Sequence, residues 1–128
     1  MQFEVTNKQE KREGLIFKKT AYVADANIHL TDEEFDVLQS MAKSKEWVEY
    51  ELGVIQVTPK HRRPVTMGMC LAWAKKTKSF EKGIFTYLPE ERELQIAEVR
   101  EVATNLKQVL EARLSALSAS DEDILEAI

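Results

Sequence analysis

Nucleophilic or imidazole chemistry has little to work with in this chain of 128 residues, which offers one cysteine, Cys70, and two histidines, His29 and His61. A cysteine acts as a nucleophile only as its thiolate, beside a base that can take its proton. Neither histidine sits in a sequence context that provides such a base. Cys70 lies between Met69 and Leu71, where cysteine behaves as a small buried hydrophobe. Two isolated histidines and one cysteine also lack the spacing of a metal site. The four glycines, Gly14, Gly53, Gly68 and Gly83, are too scattered to form a phosphate-cradling loop. The carboxylate pairs Glu33/Glu34 and Glu90/Glu91 suit the positive ends of helices. The expectation is therefore a protein that is not an enzyme and needs no cofactor or metal.

Charge gives the better lead. Residues 1–59 carry 7 Lys/Arg against 11 Asp/Glu, and residues 90–128 carry 4 against 10. Between them, residues 60–89 carry 7 against 1, so one basic block interrupts an acidic chain. Its cations are Lys60, Arg62, Arg63, Lys75, Lys76, Lys78 and Lys82, interleaved with Trp73, Phe80, Phe85 and Tyr87. Cations that neutralise phosphates beside aromatic faces that stack bases would suit a single strand or a nucleotide. Arg62 and Arg63 are the natural phosphate forks, because guanidinium pairs bidentately. The more economical reading makes the lysines a solvated turn and puts Trp73, Phe85 and Tyr87 in the core. A basic segment and an acidic helix on one chain also suit a protein partner or a second copy.

These residues must be carried by secondary structure. Gln2–Val5 reads as a short strand, followed by a polar, turn-like stretch from Thr6 to Gly14. From Leu15 to Val23 the pattern alternates, with Leu15, Phe17, Ala21 and Val23 on one face, and the two strands pair as a hairpin. Thr31-Asp32-Glu33-Glu34 is a capping box, which starts a helix with Phe35, Leu38, Met41 and Ala42 on one face, running to about Ser44. The run Leu15–Lys18 followed by Ile28–Phe35 resembles in outline the strand and capped helix of single-strand DNA-binding transcriptional coactivators. In that family the helix closes the domain. Here most of the chain follows it, so no site residue is carried over.

Val48, Tyr50 and Leu52 alternate, and after Gly53 the apolar phase moves to Ile55 and Val57, the pattern of a β-bulge. Lys60–Pro64 reads as a basic loop bounded by prolines. Val65–Lys78 fits a strand, with Met67, Met69, Leu71 and Trp73 alternating against small residues. It also fits a helix, with Val65, Met69, Ala72, Trp73, Lys76 and Phe80 as a stripe. The alternation favours a strand, which would pair with the strand Gly83–Leu88 around a tip near Lys78–Lys82.

Pro89 suits the first turn of a helix, and apolar residues recur at three- and four-residue steps from Val99 to Leu117 with no glycine or proline between them. A helix over Pro89–Ser118 would be about 43 Å long, against a diameter near 35 Å for a compact domain of this length. Its distal apolar residues, Leu106, Val109, Leu110, Leu114 and Leu117, are thus expected to contact another chain. Arg113 falls in an a-type position and argues for a short helix pair rather than a long zipper.

The sequence predicts an α+β fold: an antiparallel sheet of about five strands, one packed helix and a long C-terminal amphipathic helix. Residues 1–88 form the sheet-rich part, 89–118 the helix and 119–128 a short acidic tail. The expected function is non-enzymatic protein binding or inhibition by occlusion, with self-association into a homodimer or higher oligomer. The alternative is a nucleic-acid or nucleotide binder acting through residues 60–82. The single cysteine and the lack of a basic, then apolar, N-terminal run predict a cytoplasmic protein, and no segment is apolar enough for a membrane.

Overall fold

The computed structural model describes the backbone of residues 1–6, 10–13, 19–43, 49–58 and 60–127. It describes the side chains of residues 1–6, 20–43, 49–58 and 60–116. The architecture is α+β, with antiparallel sheets, three helices among the described residues and a long C-terminal helix.

The first sheet is organised around one long central strand. β1 (Gln2–Thr6) and β2 (Glu10–Glu13) lie end to end along one edge of β3 (Lys19–His29), and β6 (Ser79–Thr86) pairs with the other edge. The expected pairing of Gln2–Val5 with Leu15–Val23 is therefore corrected: β1 pairs with Asp25–His29, and the polar stretch assigned to a turn supplies β2, which pairs with Lys19–Tyr22. Between Thr6↔Asp25 and Glu10↔Tyr22 the first strand advances one residue more than β3, so the pairing resumes in a shifted register. The core face of β3 is Ala24, Ala26 and Ile28, against which the long C-terminal helix packs, while of the expected face Ala21 is buried and Val23 half-buried. Leu15 and Phe17 lie outside the described residues.

α1 (Asp32–Met41) starts at the expected capping box: Thr31 Oγ1 accepts from Glu34 N at 3.1 Å, and Glu34 Oε1 accepts from Thr31 N at 3.0 Å. Leu38 and Met41 are buried, with Phe35 and Ala42 packed beside them. Burial alone would raise the Glu34 carboxyl. The Met1 ammonium at 2.5 Å and the Thr31 bonds outweigh it, holding the group below its ordinary value.

The second sheet is a separate two-stranded hairpin, β4 (Glu51–Thr58) with β5 (His61–Thr66). The expected bulge is there: Glu51 pairs with Thr66 and Gly53 with Val65, which leaves Leu52 as the extra residue. Val57, expected on the buried phase, is exposed. Arg62, Arg63 and Pro64 are strand residues rather than a loop, and Pro64 is tolerated because β5 is an edge strand.

Met67–Thr77 is a helix, α2, which corrects the strand reading of Val65–Lys78. Thr66 ends β5 and caps α2, accepting from Met69 N at 3.3 Å, while Lys75 and Lys76 suit its negative end. Met67, Cys70, Leu71 and Ala74 form the buried face. Lys78, at φ 54°, is the left-handed cap that ends the helix and turns the chain into β6. The single sheet of about five strands is thus two sheets, and α2 is a second short helix, packed on α1 and β6. β6 pairs with β3, not with residues 65–78.

α3 (Pro89–Ala127) has 39 residues, longer than the expected span to Ser118. Ile96, Val99, Val102, Leu106 and Leu110 run inward along it, into the core formed by β3, β4, β6, α1 and α2. Arg92 and Arg100 lay their guanidinium groups over the rings of Tyr22 and Phe3, at 5.2 and 5.3 Å, and so tie the helix to the first sheet.

Candidate functional site

α3 is also what terminates the second sheet. The edge of β4 away from β5 meets no strand among the described residues, and two α3 side chains take up its backbone groups. Glu98 Oε2 accepts from Gln56 N at 2.5 Å in a buried setting, and Asn105 Nδ2 donates to Leu52 O. Between them the helix comes so close that a Cβ on Gly53, at φ +157°, would lie 3.2 Å from Val102 Cγ2. Glycine is needed there for both reasons. Glu98 Oε1 lies 3.0 Å from Arg62 Nη2, an ion pair not aligned as a hydrogen bond.

The seam opens at its N-terminal end. Where β4 ends, β6 ends and α3 begins, a groove of about 410 Å³ is lined by Val57, Thr58, Phe85, Tyr87, Leu88 and Gln95. Four of these side chains are large and apolar yet about half exposed: Val57 43%, Phe85 50%, Tyr87 47% and Leu88 53%. Phe85 and Tyr87 meet edge to face with centroids 5.6 Å apart, an arrangement that holds both rings in place. The floor is polar, since Thr86 Oγ1 donates to Glu91 Oε2 at 2.7 Å and Gln95 is buried. Glu91 lines the groove on α3, and the hairpin tip carrying Lys60 follows Thr58 along the chain.

The seven basic residues do not form one cluster of free cations. Arg62 faces Glu98, Lys78 pairs with Asp32 and lies over Phe35, and Lys82 is half-buried opposite Ala26 on β6. Lys60 and Arg63 are exposed on the hairpin, and Lys75 and Lys76 on the last turn of α2. The expectation that Trp73, Phe85 and Tyr87 belong to the core is wrong. Phe85 and Tyr87 line the groove, while Trp73 is 40% exposed and stacks on Phe80 with centroids 4.1 Å apart. Phe80 takes the core position instead.

Of the residues assigned to an oligomer contact, Leu106 and Leu110 are only 1% and 0% exposed, covered by the chain's own core. Val109 and Leu114 are half-buried against that core. Val109 also lines a second groove, of about 420 Å³, with Met41, Tyr50, Ala112, Arg113 and Ala116. The Leu117 side chain lies outside the described residues.

Cys70 is buried on α2, and burial pushes its thiol up to about 12. His29 sits at the end of β3, with Nδ1 2.8 Å from Ser79 Oγ and Nε2 3.3 Å from Glu4. His61 is an exposed strand residue. Among the described residues there is no group of three or more His, Cys, Asp or Glu placed to hold a metal ion. No helix among them is long and apolar enough to cross a membrane. The chain matches no family model, no curated protein and no solved structure.

Proposed function

We propose that the chain is a non-enzymatic binding protein, which engages another polypeptide through the groove at the β4–β6–α3 corner. The observation that carries this reading is the set of four large apolar side chains left about half exposed together. They amount to roughly 350 Å² of apolar surface, the size of the patch that a monomer keeps for a functional contact. Isolated exposed hydrophobes need no explanation, but four around one groove are costly to leave in water. The rim is charged and the floor offers polar groups, the composition of a protein contact with an apolar centre. The expected occluding or adaptor role follows if the partner's own working surface is what the groove covers.

The test is affinity capture with the wild type and with Phe85→Ser plus Leu88→Ser. Both positions are about half exposed, so the variant should stay folded, which a thermal melt checks. Loss of a captured protein with the variant supports the groove; an unchanged capture profile rules it out.

A nucleic-acid role is the second reading, and Trp73 is the observation in its favour. Its exposed ring borders a hollow with Lys76, and Lys75 lies beside it on α2. Oligonucleotide binding that falls steeply with salt, and is lost in Trp73→Ala plus Lys76→Ala, supports it. No binding at low salt removes it.

A further inference from the structure

We infer that the open edge of β6 pairs with the same edge of a second copy, joining the first sheets of two chains into one across a two-fold axis. The inference stands apart from the groove reading and shares only Phe85 with it. It starts from where the backbone groups of β6 point. Leu30 N donates to Lys78 O at 2.8 Å, one step beyond His29↔Ser79 in the β3–β6 register. Hydrogen-bonded pairs alternate along an antiparallel ladder, so Phe80, Lys82, Ile84 and Thr86 also turn their N–H and C=O groups to β3. Those of Ser79, Glu81, Gly83 and Phe85 face the other edge. Ser79 is satisfied there locally, since Thr77 Oγ1 accepts from Ser79 N at 3.3 Å and donates to Ser79 O at 3.1 Å. Glu81, Gly83 and Phe85 find no such partner among the described residues, and all three are exposed. For Gly83 that is exposure of the backbone itself.

The other edges among the described residues are blunted. Glu98 and Asn105 take up that of β4, Pro64 interrupts β5, and the edge of β1 and β2 is two short pieces, one of them wholly charged. β6 carries none of these devices: its register with β3 runs unbroken from Ser79 to Thr86, without proline or bulge. A regular open edge is a template for another strand, and a second β6 brings the same groups at the same spacing.

The side chains choose the register. Outward-facing residues must stand opposite one another, which centres the axis on Lys82, Gly83 or Ile84. On Lys82 it sets two lysines face to face, and on Gly83 it sets Glu81 against Phe85. On Ile84 it opposes no like charges and lays each Phe85 over the partner's Gly83. A Cβ on Gly83 would meet only Asp25 Oδ1, at 3.8 Å, so there is room for the ring. Phe85, 50% exposed in the single chain, is then covered.

The direction of the amides supplies the test, by sedimentation equilibrium of the full-length chain. The wild type is expected at twice the 14.7 kDa chain mass. Gly83→Pro and Glu81→Pro each delete an N–H that the β3–β6 ladder does not use and put a ring in the path of the incoming strand. Each should raise the dissociation constant about 30-fold or more, while thermal melts still show a folded protein. Gly83→Ala keeps the N–H and should stay within about 10-fold of the wild type. A second measurement needs no proline. Mixed and oxidised in air, Gly83→Cys and Phe85→Cys should form the mixed disulfide in preference to either homodimeric one, because residues 83 and 85 face each other about 5.5 Å apart at Cα.

A dimer lost in the proline variants and linked by the mixed disulfide supports the inference. A wild type that stays monomeric up to about 0.5 mM, well above any micromolar dissociation constant, overturns it. So does a dimer unmoved by both prolines, or one that yields no mixed disulfide. If the wild type is monomeric but captures a protein that Phe85→Ser plus Leu88→Ser loses, the groove stands and the edge pairing alone is refuted.

Discussion

Glu98 is the side chain whose removal tests how α3 holds the second sheet. It is 6% exposed, accepts the buried Gln56 N–H at 2.5 Å and faces Arg62, whose side chain is 62% exposed. Glu98→Ala leaves the Gln56 N–H unpaired in a dry place, which costs about 1–3 kcal/mol. Loss of the ion pair adds about 1 kcal/mol at most, because water screens the exposed guanidinium. Against these stands relief from burying a carboxylate, which costs several kcal/mol wherever its partners are imperfect. The hydrogen bond and the charge therefore pull in opposite directions, and Glu98→Gln separates them. The amide keeps an acceptor for Gln56 and removes the charge.

If the acceptor matters most, Glu98→Gln should stay within about 1 kcal/mol of the wild type and Glu98→Ala should lose about 2. For a chain of this length each kcal/mol moves the melting temperature by about 4 °C, so the alanine variant should melt about 8 °C lower. Arg62→Ala should cost less than about 1 kcal/mol. Urea unfolding of the three variants, with the Arg62/Glu98 double-mutant cycle, measures each contribution. An alanine variant as stable as the wild type would refute the role of Glu98 in terminating β4. A glutamine variant as damaged as the alanine one would show that charge, not the acceptor, holds the seam.

Three further perturbations read other parts of the fold. Gly53→Ala places a Cβ 3.2 Å from Val102 Cγ2 at φ +157°, so it should lose about 1–3 kcal/mol in urea unfolding; a neutral result would mean that helix and strand are not in close contact there. Cys70, with its thiol pushed up to about 12, should react with an aromatic disulfide at least 1,000-fold more slowly than a free cysteine at pH 7.5, and fast labelling would place it at the surface. Glu34 has a folded pKa below its ordinary value, so its stabilisation is fully present above about pH 4.3 and is lost as the pH falls through the depressed folded value. The stability gap between the wild type and Glu34→Gln should accordingly narrow on acidification, and a gap that widens in acid would reverse the assignment.

Local signals that rest on a few neighbouring residues were legible in the sequence. The Thr31–Glu34 capping box and the bulge at Gly53 both stand where the residue types put them. Signals that depend on long-range pairing were not. The four residues Glu10–Glu13 are polar, and nothing local distinguishes β2 from a turn; only β3 running alongside makes it a strand. Alternation of large and small residues over Met67–Ala74 imitated a strand, although Thr66 was a ready N-cap and Lys75 and Lys76 a ready C-terminal turn. Propensity and capping outweighed a period read over too few residues. The groove was less legible still. Phe85 and Tyr87 look like core residues, and only pairing with β3 shows that β6 turns Phe80, Ile84 and Thr86 inward and Phe85 out.

The long helix carries more of its apolar stripe inward than its length alone suggests. From Pro89 to Leu110 an α-helix rises about 32 Å, close to the ~35 Å expected across the whole domain. The length argument thus gives nearly the right extent of intramolecular cover, although it assigns Leu106 and Leu110 to another chain. Leu106 and Leu110 lie within it, buried at 1% and 0% exposure. The apolar stripe that looked like an interface is spent on holding two separate sheets against one helix, with Glu98 and Asn105 taking up the edge of β4. That packing leaves Val57, Phe85, Tyr87 and Leu88 about half exposed at the helix start, and a second groove beside Val109 and Ala112 farther along the helix. Glutamates at a helix N-terminus would ordinarily be explained by the dipole alone. Glu91 does more than that, since it also accepts from the Thr86 hydroxyl at the floor of the groove.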